Sequence, residues 1–152
     1  MKRLLWIGLL GIALWPQHVA AKERTIKVTA DEMRFEPAMI EVSAGETIRF
    51  EVTNRGMTLH EFSVGSPGEN AAHRRMMAAD TGDGANSHAH HDMAGHHHDG
   101  PQKVVMIDPG QTAVLTVRFG QPGRLELACN IPGHYEAGMT GGVTVKPHGE
   151  KS

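Results

Sequence analysis

From Thr25 onward the chain is written as short runs in which apolar and polar residues alternate, each run closed by turn residues. That rhythm restricts the fold to one built of strands, because no helical period of similar strength competes with it. TIKVTA is followed by AMIEVSAGETIRFEVTN, where Ala44-Gly45 divides two alternating runs and predicts a hairpin. Further strands are predicted over Thr58 to Val64, Lys103 to Ile107, Thr112 to Phe119, Gly123 to Ala128 and Gly142 to Lys146, with Asp108-Pro109-Gly110 as a turn. About seven such strands imply an all-β sandwich. Alternation along Ile48, Phe50 and Val52, and along Val114 and its i+2 neighbours, sends one set of side chains between two sheets and the other to solvent.

Residues 66 to 102 break the rhythm, being poor in β-branched residues and rich in Gly, Ala, His and Met, and they read as an insertion between strands. Its first part, Glu69 to Asp80, predicts about three helical turns with His73, Met76 and Met77 on one face. The remainder of the insertion predicts no regular structure.

The N-terminus sets the expected compartment. Lys2 and Arg3 precede an apolar run from Leu4 to Trp15, and Val19-Ala20-Ala21 offers small residues to a signal peptidase, so residues 1–21 read as a signal peptide. The run is shorter than the ~20 residues a spanning helix needs, and Pro16 closes it. Periplasmic export is the expectation, with no membrane attachment after processing. One domain is expected over 22–148, with residues 149–152 as a tail, and a monomer. Removing two of the 15 basic residues and none of the 17 acidic ones leaves a formal charge of −4, which excludes nucleic acid as the partner.

Cys129 is the single cysteine, so an exported chain has no internal disulfide and the sulfur needs another occupation: a second chain, a metal or burial. Its neighbours narrow the choice. CNIPGHYEAGM spaces Cys129, His134 and Met139 as C-x4-H-x4-M, so one loop between two strands can deliver three donors. Thiolate and imidazole together suit zinc or copper, and two His, one Cys and a weak Met form the trigonal set associated with electron-transfer copper. The second histidine is best supplied by His60, in a strand about 70 residues earlier that a sandwich can fold against the loop. Met33, Met39, Met57 and Met106 read as packing residues. H-E-x-x-H is absent, as is any Ser-His-Asp or paired-carboxylate arrangement, which argues against zinc peptidase chemistry and other hydrolysis.

The strand pattern, GMTLHEFSVG and the terminal CNIPGHYEAGMTGGVTV together resemble the cupredoxins, the type 1 blue copper family. More narrowly, the HEF strand, the His- and Met-bearing insertion and CNIPGHYEAGM resemble plastocyanin-like periplasmic proteins of bacterial copper tolerance, including the CopI type. The resemblance covers roughly Thr25 to Lys146 apart from the middle of the insertion. It implies a Greek-key β-sandwich with one type 1 copper ion held by His60, Cys129, His134 and Met139. One position departs from the family: many cupredoxins place Asn or Ser after the first histidine, and this chain has Glu61.

The insertion adds His73, His88, His90, His91, His96, His97 and His98, with Met76, Met77 and Met93 among them. Imidazole suits Cu(II), Zn(II) and Ni(II) while thioether sulfur suits Cu(I), so this tract is a candidate for additional copper beside the type 1 ion. Three functions follow: copper tolerance by binding copper, with electron transfer to a periplasmic redox partner; a dedicated electron shuttle docking through Ile131, Pro132 and Tyr135; and, if an enzyme, a cuprous oxidase.

Overall fold

The computed structural model describes residues 23–80 and 103–149; the expected signal peptide, residues 1–21, lies outside them. The chain runs β1 (Glu23–Asp31), β2 (Arg34–Glu36), β3 (Met39–Ser43), β4 (Thr47–Asn54), β5 (His60–Gly65), α1 (Pro67–Asp80), β6 (Lys103–Ile107), β7 (Thr112–Arg118), β8 (Gly123–Ala128) and β9 (Thr140–Lys146). Two sheets face one another, one ordered β2-β1-β4-β7 and the other β3-β9-β8-β5-β6. No helix among the described residues is long and apolar enough to cross a membrane.

The hairpin expected around Ala44-Gly45 does not form. β3 pairs in parallel with β9, whereas β4 pairs with β1 and β7 in the other sheet. Gly45 takes a positive φ of 90°, and its N–H donates to the carbonyl of Phe119 at 2.6 Å, so the chain crosses between sheets at this point. Alternation predicts that a run is a strand but carries no record of its partner, and a sandwich gains more core by sending the two runs to opposite layers. β2 was not anticipated, being three residues long; Phe35 from it is nonetheless 1% exposed.

Ile48, Phe50 and Val52 point inward as expected, each at 0% exposure. On β7 the inward set is Ala113, Leu115 and Val117, leaving Val114 and its i+2 neighbour Thr116 on the solvent face. The aromatic centre of the core is Phe62, whose ring lies 5.3 Å from both Phe35 and Phe50, with Phe119 packed edge-on to Phe50. Such ring pairs add roughly 0.5–1.5 kcal/mol each beyond the area they bury.

β5 differs from every other strand, since all six of its residues are buried. His60, Phe62 and Val64 share the inward face, while Glu61 and Ser63 face outward and are covered by α1. The helix begins two residues before the expected Glu69. Ser66 Oγ accepts from the Glu69 N–H at 3.2 Å and Glu69 Oε2 accepts from the Ser66 N–H at 2.7 Å, with Pro67 as the first helical residue. This reciprocal cap starts the helix against the end of β5, where its side chains meet the strand's outer face.

β9 runs close to the start of β3. A Cβ built on Gly141 would lie 2.3 Å from the carbonyl oxygen of Ala38, which itself accepts from the Gly142 N–H at 2.7 Å. Replacing Gly141 by Ala therefore forces two backbones apart, and the expected cost is about 1–3 kcal/mol, read from urea unfolding of the metal-free protein. A loss below about 0.5 kcal/mol would show that this contact yields freely.

Candidate metal centre

His60 opens β5, Cys129 follows the last residue of β8, and His134 and Met139 lie on the loop leading into β9. Each position is held by backbone bonds. The Cys129 N–H donates to the Met139 carbonyl at 3.1 Å, and the Met139 N–H donates to the His134 carbonyl at 3.0 Å, closing the loop on itself. The His134 N–H donates to Ile131 O at 3.0 Å, and Gly133 and Gly138 supply the positive φ values of 89° and 100° that the successive turns require. The C-x4-H-x4-M spacing thus becomes a tight knot of turns.

Three donor atoms converge. The ligand atoms of His60, Cys129 and His134 all lie within 4.8 Å of one another. His60 Nδ1 is 3.2 Å from His134 Nδ1, and Cys129 Sγ is 3.4 Å from the same nitrogen. His60, Cys129 and Met139 are fully buried, and His134 is partly exposed. Burial of Cys129 takes it out of reach of a second chain, leaving metal binding or inert packing from the alternatives its sequence allowed.

Electrostatics favours a cation between these groups. Burial pushes the Cys129 thiol up to about 11, against the N–H groups of Glu61 and Ile131, which point at the sulfur and pull it down. The pKa of His60 is lowered, first by burial and then by neighbouring His134, with Glu32 opposing. Two imidazoles set edge-on with their Nδ1 atoms 3.2 Å apart repel when protonated, whereas a metal ion takes both lone pairs and replaces the thiol proton. His60 Nε2 has no hydrogen-bond partner, and a Cβ on Gly56 would lie 2.9 Å from it, so the backbone packs directly against that edge of the ring. Nδ1, not Nε2, is thereby turned toward the cluster. Two imidazoles and a soft sulfur fit copper, which must be accommodated in both oxidation states.

Several residues that position the centre were not singled out from the sequence. The buried Asn54 amide donates to Thr58 O and Ile107 O, both at 2.8 Å, and its Oδ1 accepts from the Gly56 N–H at 2.9 Å. Two of these bonds hold the loop that delivers His60, and the third ties that loop to the end of β6. Asn130 donates to Glu61 Oε1 from its side chain at 2.7 Å and from its backbone at 3.3 Å. Their signal, in hindsight, is a polar residue on the inward side of an alternating run and another beside the cysteine.

Of the residues expected to form a secondary copper site, His73 Nε2 donates to Glu61 Oε2 at 2.8 Å, Met77 is partly buried and Met76 is 65% exposed. His88, His90, His91, Met93, His96, His97 and His98 lie outside the described residues. Three methionines expected in the core are instead exposed: Met33 at 37%, Met39 at 70% and Met57 at 86%. Met33 and Met57 lie in loops beside the ends of β1 and β4, where there is no opposing sheet to bury them, and Met39 opens β3 on its outward-facing side. Tyr135, expected in an apolar docking patch, instead donates to Glu126 Oε1 at 2.9 Å and carries the Arg74 guanidinium 3.3 Å above its ring centroid.

A two-layer sandwich with a buried thiol and two imidazoles at one pole defines a copper-binding cupredoxin. The chain belongs to the family of copper binding proteins of the plastocyanin/azurin type, whose pattern matches residues 22–146. It is similar to the copper-resistant cuproprotein CopI of Pseudomonas aeruginosa, with 41% identity over 87% of this chain and 81% of the relative. The copper-resistant cuproprotein CopI of Rubrivivax gelatinosus is 37% identical over 86% of this chain and 72% of the relative. Among solved structures, auracyanin B aligns with a TM-score of 0.63 and 25% identity, covering 84% of this chain and 91% of the other.

The pKa of His73 is raised, chiefly by its hydrogen bond to Glu61, with burial opposing. A histidine whose folded pKa is raised contributes stability that is fully present below its unfolded value near 6.5 and lost as pH rises through the folded value. The stability gap between the metal-free protein and its His73→Ala variant should therefore be widest on the acid side of that window and narrow above it. Urea unfolding at a series of pH values checks this; a gap that does not change with pH would contradict it.

Proposed function

We propose that this chain is a periplasmic copper-tolerance protein that holds one type 1 copper ion through His60, Cys129, His134 and Met139 and passes single electrons. The convergence of the His60, Cys129 and His134 donor atoms within 4.8 Å carries the reading. Met139 would supply a weak fourth donor, since it is fully buried and its backbone is bonded to both Cys129 and His134. Bound copper supplies a one-electron couple between Cu(I) and Cu(II). The protein's part is to bury the thiolate, to aim two Nδ1 atoms at one point and to exclude water from three of the four donors. Both sulfurs suit Cu(I) and the imidazoles suit either state, so little rearrangement is needed on electron transfer. Partial exposure of His134 makes it the natural edge for exchange with a redox partner.

Tolerance is supported by the relatives, which are named as copper-resistant proteins. Export is supported by the charged, apolar and small-residue succession of residues 1–21. A collecting role for the insertion is supported by its density of imidazole and thioether groups.

The copper-loaded protein should show an intense visible thiolate-to-copper band that disappears in Cys129→Ser while the fold is kept, as judged by far-ultraviolet circular dichroism. An unchanged visible spectrum in Cys129→Ser would end this reading. Deleting His88 to His98 is expected to lower copper stoichiometry and growth in copper while leaving the visible band in place. Equal metal uptake and equal growth would remove the insertion from the function.

A further inference from the structure

We propose that helix α1 is a working part of the copper centre: through His73 it holds the Glu61 side chain, Glu61 holds Asn130 beside Cys129, and this relay sets the balance between the two copper oxidation states. The inference rests on the ligand assignment above and makes His73, Glu61 and Asn130 positioning residues.

Glu61 stands between the two stretches of chain that bring the donors together. It is 1% exposed, and it follows His60 directly. Its N–H donates to Cys129 Sγ at 3.3 Å. Its Oε1 accepts twice from Asn130, at 2.7 Å from the side chain and 3.3 Å from the backbone. Its Oε2 meets His73 Nε2 at 2.8 Å. One buried side chain therefore ties the His60 segment to the Cys129 segment, and its far oxygen is handed to the helix.

The helix grips the same two segments elsewhere. Arg74 donates to Asn130 Oδ1 at 3.2 Å and stacks on Tyr135, next to His134. Asn70 donates to Glu126 Oε2 at 3.0 Å and its Oδ1 meets Ser63 Oγ at 2.8 Å and Asn130 Nδ2 at 3.4 Å. A helix serving only to cover β5 would need apolar side chains there. This one presents Asn70, His73 and Arg74, all directed to residues beside the donors.

The consequence for the metal is electrostatic. A carboxylate in a dry site near a copper thiolate favours the more positive Cu(II), and the field it exerts depends on how fully its oxygens are satisfied. Removing the His73 donor leaves Oε2 less compensated and frees the carboxylate to move, drawing Asn130 with it. The oxidised state gains and the Cys129 sulfur loses its fixed surroundings.

The test uses the full chain loaded with copper, reading the midpoint potential and the ratio of the visible bands in His73→Ala, His73→Gln, Glu61→Gln and Glu61→Gln/His73→Ala. His73→Ala is expected to shift the preference toward Cu(II) by about tenfold, ~59 mV for a one-electron couple. His73→Gln, which keeps a donor, recovers most of that shift. Glu61→Gln moves the potential the opposite way, and in its background the His73→Ala change shrinks to under about threefold. In the metal-free protein, the Asn130 amide hydrogen exchanges faster in His73→Ala than in the unsubstituted chain. A potential within about twofold of the unsubstituted protein in His73→Ala, or the same shift persisting in the Glu61→Gln background, overturns the proposal. Should His73→Ala fail to fold, an unmoved potential in Glu61→Gln overturns it equally. An unsubstituted protein without a thiolate band overturns the ligand assignment together with the proposal, whereas an intense band with unmoved potentials overturns the proposal alone.

Discussion

Strand β5 is buried on both faces, and the rest of the molecule is arranged around that constraint. Its inward face contributes Phe62 to the aromatic core and His60 to the donor cluster, so the strand that fixes the core also fixes one metal-facing ring. Its outward face carries Glu61 and Ser63, polar groups that would cost a few kcal/mol each if buried without partners. Helix α1 removes that penalty by supplying Asn70 and His73. The chain thus gains a rigid site on a strand that moves only if both core and helix move with it.

Gathering a thiol and two imidazoles in a dry pole of a sandwich is unfavourable without a cation. The raised Cys129 pKa and the lowered His60 pKa express the same cost from opposite sides. The surrounding backbone bonds hold the donors in place despite it, since the Cys129, His134 and Met139 N–H groups are all committed within the loop or to its flanks. Preorganisation of this kind leaves little rearrangement to be made when an ion enters the cluster.

Met33 and Met57 are exposed in loops on the side that delivers His60, and Met39 is exposed on the outer side of β3; thioethers are both apolar and soft toward metal. Spacing alone did not distinguish these exposed methionines from core methionine.

Every strand but β2, the all-β class and the three residues whose donor atoms converge, His60, Cys129 and His134, were legible in the sequence because alternation has a period of two and because the cysteine and second histidine share one loop. The helix was expected from Glu69, two residues late, because periodicity alone does not mark the Ser66 to Glu69 cap that starts it. What tertiary structure decided was partnership. It sent the runs on either side of Gly45 to different sheets, it chose Asn54 and Asn130 as the fasteners of the site, and it turned His73 onto Glu61. Local patterns report the conformation a segment prefers; which segments meet across a sandwich depends on contacts between residues far apart in the chain, such as Met39 with Gly142 and His60 with His134, and these leave no periodic trace.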